Sequence, residues 1–162
     1  MKSSLSIAAA LATVAVLVFG TVASAAAERP IKGWYQVGVV PVAQRCGANA
    51  LTIGFEGSGI VSHLGRITGT GSNCTEFSLT VESVPIYDGL ATFVSADGSS
   101  ITATYAGTQA QPVAGTAATE STFTVLSGTG RFADAQGTWS STGEIDFILG
   151  LFEGTLEGWL SY

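Results

Sequence analysis

The chain has 162 residues, with 12 acidic against 6 basic side chains and a net charge of −6. That balance excludes nucleic acid and other polyanions as partners, because phosphate contacts require clustered Lys and Arg. With 46% hydrophobic and 11% charged residues the chain is not intrinsically disordered, and its length allows one domain around a single core.

The first segment reads as an export signal. Lys2 supplies a positive charge, Leu5 to Phe19 form an apolar run, Gly20 breaks it, and small residues from Ala23 to Ala27 suit a peptidase. A signal peptide over residues 1–27 and a domain over 28–162 are predicted. The run is shorter than the ~20 residues of a spanning helix and no stop-transfer pattern follows, so the expected product is secreted or periplasmic, without stable membrane insertion.

Cys46 and Cys74 both fall in the exported part, where thiols oxidise and pair. A bridge closing a loop of about 28 residues stabilises by roughly 3–4 kcal/mol in the chain-entropy model. The other reading, a metal or catalytic thiol, is weaker: two Cys and the single His63 cannot complete a tetrahedral zinc site without carboxylates. No metal and no cofactor is expected. Asn73-Cys74-Thr75 has the form of a glycosylation acceptor, but with a bridged cysteine in its middle position.

From Gly33 onward apolar residues alternate with period two and never recur at helical spacing, which predicts an all-β domain. Strands are expected over residues 34–40, 51–62, 66–71, 76–82, 90–94, 101–108, 119–126, 138–147 and 152–162. In 101–108, Ile101, Ala103 and Tyr105 share one face and threonines the other. Asp97-Gly98 between 94 and 101 supplies the chemistry of a tight hairpin turn. Residues 109–118, with Pro112 and Gly115, read as a loop over one rim. Glycines within strands, as at Gly54, Gly57 and Gly59, mark bends of the kind small barrels use at corners, so a single antiparallel barrel of about eight strands is predicted.

Candidate chemistry is sparse. Gly128-Thr129-Gly130-Arg131-Phe132-Ala133 fits a dinucleotide fingerprint in form, yet a strand restarts at Gly137, leaving no helix to face a pyrophosphate. The segment reads as a structured turn. His63 lacks a nucleophile elbow anywhere in the chain, so a strand-end or backbone-bonding role is favoured over a general base. Glu56, Asp88, Glu144 and Asp146 are the candidate carboxylates, and which face of the 138–147 strand turns inward stays open. Arg66 and Arg131, each beside a Gly-containing turn, are candidates for an acidic group at a barrel mouth or for pairing with surplus carboxylates.

Ser62 to Arg66, the hairpin Phe93 to Gly98 and Ser127 to Ala133 resemble the small eight-stranded barrels of the allene oxide cyclase-like and dirigent-like group, with secreted bacterial members nearest in appearance. The resemblance spans about residues 50 to 147, and Gly-Thr-Gly-Arg-Phe is its most specific piece. It implies an antiparallel barrel around an apolar pocket that holds a reactive hydrophobic compound and steers its cyclisation or coupling.

The leading functional reading is an exported barrel that binds a small apolar molecule, with Phe93, Tyr105 and Trp139 as pocket candidates and Arg66 and Arg131 as accessory ones. Such a pocket would measure roughly 300 Å³ or more. The alternatives are a structural envelope protein whose barrel is packed solid and an outer-membrane barrel, for which Phe152, Leu156, Leu160 and Tyr162 on one face argue. Intact-mass measurement of the exported protein is expected to show a start between Ala26 and Glu28; retention of residues 1–25 would contradict the signal-peptide reading.

Overall fold

The computed structural model describes residues 27–162 apart from 77 and 79, so the expected signal peptide lies outside the described residues except for Ala27. Period-two alternation dominates the described chain, and it builds eight strands: β1 (Glu28–Val40), β2 (Ala50–Val61), β3 (Gly65–Glu76), β4 (Ser83–Ser95), β5 (Ser100–Ala110), β6 (Thr116–Gly128), β7 (Gln136–Asp146) and β8 (Leu151–Ser161). Each pairs antiparallel with the next, and β8 pairs with β1 from Glu28↔Ser161 to Gly38↔Leu151. The sheet is a closed barrel with no free edge.

The expectation of a single antiparallel all-β barrel of about eight strands holds, eight of the nine runs read from the sequence becoming its strands. Among the described residues of 76–82 there is no separate strand: Glu76 closes β3, and β4 begins at Ser83. The strand expected at 90–94 begins earlier, at Ser83, along a bulged β4 whose register shifts between Ile86 and Gly89. Gly and Ser residues that look like breaks, such as Gly71 and Ser72, are held here by partners on both sides, so ladder pairing overrides local propensity. The rim loop is likewise shorter than residues 109–118, since β5 reaches Ala110 and β6 starts at Thr116.

The apolar face is the inner one. Ile145 is buried while Glu144 is exposed, and Leu156 and Leu160 of β8 are buried. Glu56 and Asp88 are also exposed, so of the four candidate carboxylates only Asp146 is partly covered.

The two ends of the barrel differ. At one end the β2–β3, β4–β5 and β6–β7 connections close over a core of Ile31, Val61, Leu64, Ile101, Phe132 and Leu160. Phe132, 1% exposed, comes from a one-turn 3-10 helix (Gly130–Phe132) that plugs this end, so the fingerprint-like motif is the structured turn expected. Gly130 adopts φ 59° there, a conformation glycine reaches without strain. The Asp97-Gly98 hairpin forms as expected, with Gly98 at φ 83° and Asp97 Oδ1 accepting the Ser99 N–H at 3.0 Å.

At the other end the β1–β2 connection, residues 41–49, folds outside the wall. The expected Cys46–Cys74 disulfide ties it to β3, with Cα atoms 5.7 Å apart. Arg45 extends the tie by donating to the Ser72 carbonyl at 3.1 Å and to the Asp88 carbonyl, at the β3–β4 bulge. Among the described residues no helix is long and apolar enough to cross a membrane. Replacing both cysteines by Ser is expected to cost about 3 kcal/mol and to lower the melting temperature by roughly 10 °C; an unchanged thermal transition would contradict a stabilising role for the bridge.

Candidate functional site

Inward aromatic rings and inward glycines meet across the strands. Phe55 lies opposite Gly71, Phe93 opposite Gly69, Tyr105 opposite Gly89 and Trp139 opposite Gly158. Tyr35 has a glycine on each side, Gly59 and Gly154. The contacts are close: a Cβ on Gly89 would fall 2.5 Å from Tyr105 Cδ1, and one on Gly71 2.5 Å from Phe55 Cζ. At Gly71 and Gly89 an alanine would clash with the ring across from it, whereas at Gly69 its Cβ would make a tight contact with Phe93 Cδ1 at 3.2 Å. The missing side chains let the rings lie along the wall, where longer neighbours would push them toward the barrel axis.

The rings form an arc centred on Phe123, whose neighbours on both sides are aromatic. Tyr105 and Phe123, directly opposite on β5 and β6, stack with centroids 4.5 Å apart, and Phe123 stacks on Trp139 at 5.2 Å. Phe93 meets Phe123 and Trp139 edge-on, and Phe55 meets Tyr105 edge-on. Across the interior Tyr35 packs on Phe152 at 5.3 Å. Such pairs add about 0.5–1.5 kcal/mol each beyond area burial.

Between arc and opposite wall lies a cavity of about 110 Å³, floored by Ile67 and Leu156 and reaching Val39, Ile53 and Gln109 toward the disulfide end. Val39 is 41% exposed, so the cavity opens there, away from the Phe132 plug. The volume is several times the ~30 Å³ share of one water and approaches the ~150 Å³ that admits a benzene ring. It is smaller than the roughly 300 Å³ expected from sequence.

The polar groups of the interior are paired with one another. Tyr35 Oη and Ser141 Oγ share a hydrogen bond. Tyr105 donates its O–H to Asn73 Oδ1 at 2.9 Å, and Asn73 Nδ2 donates to the Cys74 carbonyl at 3.3 Å. Asn73 sits where β3 and β4 shift register, beside Cys74 of the disulfide. Among the described residues no buried side-chain polar atom lacks a partner, which keeps the lining apolar toward a guest. Burial pushes the Tyr35 phenol up to about 12, the Ser141 hydrogen bond opposing the shift. Burial raises Tyr105 as well, partly offset by the Arg45 charge. Both rings are therefore neutral hydrogen-bonding phenols at physiological pH.

Of the residues expected from sequence, Phe93, Tyr105 and Trp139 come together as cavity lining. Arg66 and Arg131 do not join them. Arg66 is exposed near the start of β3, at the plugged end. Arg131 clasps that end, with Nε 3.3 Å from Asp97 Oδ2 and Nη2 donating to the Leu64 carbonyl at 3.1 Å. His63 is exposed in the β2–β3 turn at φ 65°, and its carbonyl accepts the Tyr162 hydroxyl at 3.3 Å. Sequence reasoning missed Tyr35, Phe55, Phe123, Asn73 and Ser141. For the first three a signal exists: each shares inward parity with neighbouring glycines or aromatics once the strands are aligned.

Searches against protein-family models and curated proteins find no match. Among solved structures the chain is similar to two pterocarpan synthase dirigent proteins. PsPTS1 aligns with a TM-score of 0.49 and 12% identity, over 86% of this chain and 97% of its own. GePTS1 aligns with a TM-score of 0.46 and 14% identity, over 94% of this chain and 99% of its own.

The buried phenols make stability depend on alkaline pH. Above the ordinary tyrosine pKa of about 10 an unfolded Tyr35 loses the proton that the folded protein retains to about pH 12. The contribution is complete below pH ~10 and declines as pH rises, by about 1.4 kcal/mol per unit for each such phenol. Chemical denaturation across this interval is expected to show that decline and a shallower one in Tyr35→Phe. A flat wild-type profile would contradict the burial.

Proposed function

We propose that this protein is an exported binding barrel that takes a small apolar molecule into its cavity through the disulfide end. The observation that carries the reading is the unfilled volume between the stacked aromatic arc and the Tyr35–Phe152 wall, open at one end and lined by internally satisfied polar groups. A compact ring or short chain can fill the space between the aromatic arc and the Tyr35–Phe152 pair by apolar contact. Binding by Phe93, Tyr105 and Trp139 belongs to this reading. An extracellular or periplasmic location is compatible with the disulfide.

Cyclase-like steering of a reactive guest fits the same cavity, because a shaped wall alone can hold a reactive conformation. The cavity lining contains no carboxylate or imidazole among the described residues, so the reading includes no general-base step. The packed-core alternative draws on the Phe132 plug, which fills one end without volume to spare. An outer-membrane barrel needs an apolar outer band, whereas outward positions of β6 and β7 include Glu120, Thr122, Thr124, Ser140, Thr142 and Glu144, with Ala118 and Leu126 the apolar ones of β6.

Native mass spectrometry of the exported protein, followed by extraction, is expected to find a carried small molecule, and an apolar probe of single-ring size is expected to bind. Leu156→Trp, which fills the floor, should weaken probe binding by at least about tenfold, as should Trp139→Ala. Absence of both cargo and probe binding would leave the packed structural barrel as the better account.

A further inference from the structure

The β7–β8 connection is Phe147-Ile148-Leu149-Gly150, apolar where exposed turns usually carry Gly, Asn, Asp, Ser or Pro. Ile148 is 78% exposed, Leu149 68%, and Val113 on the β5–β6 connection 74%. They are the most exposed large apolar side chains among the described residues. The two connections form one surface. The Phe147 N–H donates to the Gly115 carbonyl at 2.9 Å, and a Cβ on Gly115 would meet Ile148 Cδ1 at 2.8 Å.

Their backbone is prepared to leave water. Asp146 Oδ1 accepts the N–H groups of both Ile148 and Leu149, at 2.8 and 2.9 Å. The Val113 N–H reaches the Thr116 carbonyl at 2.8 Å, and the Gly150 carbonyl accepts the Val39 N–H at 2.8 Å. Every amide N–H from Phe147 to Leu149 is thus bonded inside the protein, so immersing the tips in an apolar phase strands no donor there.

We propose that these two tips insert into the interfacial layer of a zwitterionic lipid bilayer and dock the open end of the barrel on it. Three aliphatic side chains on two turns present far less than the ~800 Å² per partner of a stable protein interface, whereas shallow insertion of a few apolar side chains suffices at a lipid surface. Charge selects the lipid. Among the described residues Arg29, Lys32, Arg66 and Arg131 belong to the plugged end, and only Arg45 serves the open end, where its donors are taken by Ser72 and Asp88. An acidic chain with no basic cluster near the tips is unsuited to anionic headgroups. Docking would also set the cavity mouth against the phase in which an apolar molecule dissolves; that role alone rests on the binding function proposed above.

Flotation of the exported protein with phosphatidylcholine vesicles tests the docking. Its N-terminus lies at the plugged end, with Glu28 beside Ser161, and is common to all variants. The wild type is expected to float, Ile148→Asp/Leu149→Asp to lose at least about tenfold in partitioning, and Val113→Ser to lose less. Trp34→Ser, on the side wall, should float like the wild type, and replacing part of the phosphatidylcholine with phosphatidylglycerol should not strengthen binding. Absence of flotation, equal flotation of a folded double variant, or flotation on anionic vesicles alone would overturn the proposal. So would a wild-type dimer in sedimentation that the double variant dissociates, since the tips would then join two copies. Probe binding without vesicles separates docking from cavity function: the double variant should bind the probe normally, and flotation persisting where neither protein binds probe would refute the cavity function alone.

Discussion

Glycine opposite an aromatic ring is the contact on which the rest of this barrel depends. Eight strands enclose an interior that side chains can just fill, and the inward rings of Tyr35, Phe55, Phe93, Tyr105, Phe123, Trp139 and Phe152 would fill it if they pointed at the axis. Gly69, Gly71, Gly89 and Gly154 instead give the rings of Phe93, Phe55, Tyr105 and Tyr35 a seat on the wall. Glycine inside a strand costs roughly 0.5–1 kcal/mol relative to Ala, and ring stacking of comparable size offsets it. The cavity is the volume left over.

This arrangement divides the molecule along its axis. Toward the Phe132 turn, branched aliphatic residues pack with the Phe132 ring and seal the interior. Toward the disulfide, hydroxyl and amide groups enter in pairs, Tyr35 with Ser141 and Tyr105 with Asn73. The bulge shared by β3 and β4 lies beside Asn73, and the strap of residues 41–49 holds that bulge from outside through Cys46 and Arg45. The disulfide therefore supports a polar contact of the cavity as well as the fold.

Much of the architecture was legible in the sequence because alternation survives closure of the sheet. Ile101, Ala103 and Tyr105 announced an inward face, and Asp97-Gly98 announced its turn. Residues 76–82 were misread because local composition cannot reveal that β3 runs unbroken to Glu76 against β2. For the site, Phe93, Tyr105 and Trp139 were legible as large residues on apolar faces. Asn73 was not, since its surroundings depend on a register shift set by the partner strand. For Arg131 the pairing with a carboxylate was legible and Asp97 supplies it, but not that its turn caps the sealed end.

The central claim is that glycine-seated rings leave an accessible apolar volume in this barrel. Crystallography under xenon pressure measures that volume directly, because xenon enters dry apolar cavities of this size. The account predicts xenon between Phe123, Trp139 and Tyr35, on the open side of Ile67 and Leu156. A xenon-free interior, with the aromatic rings turned inward to meet at the axis, would contradict it.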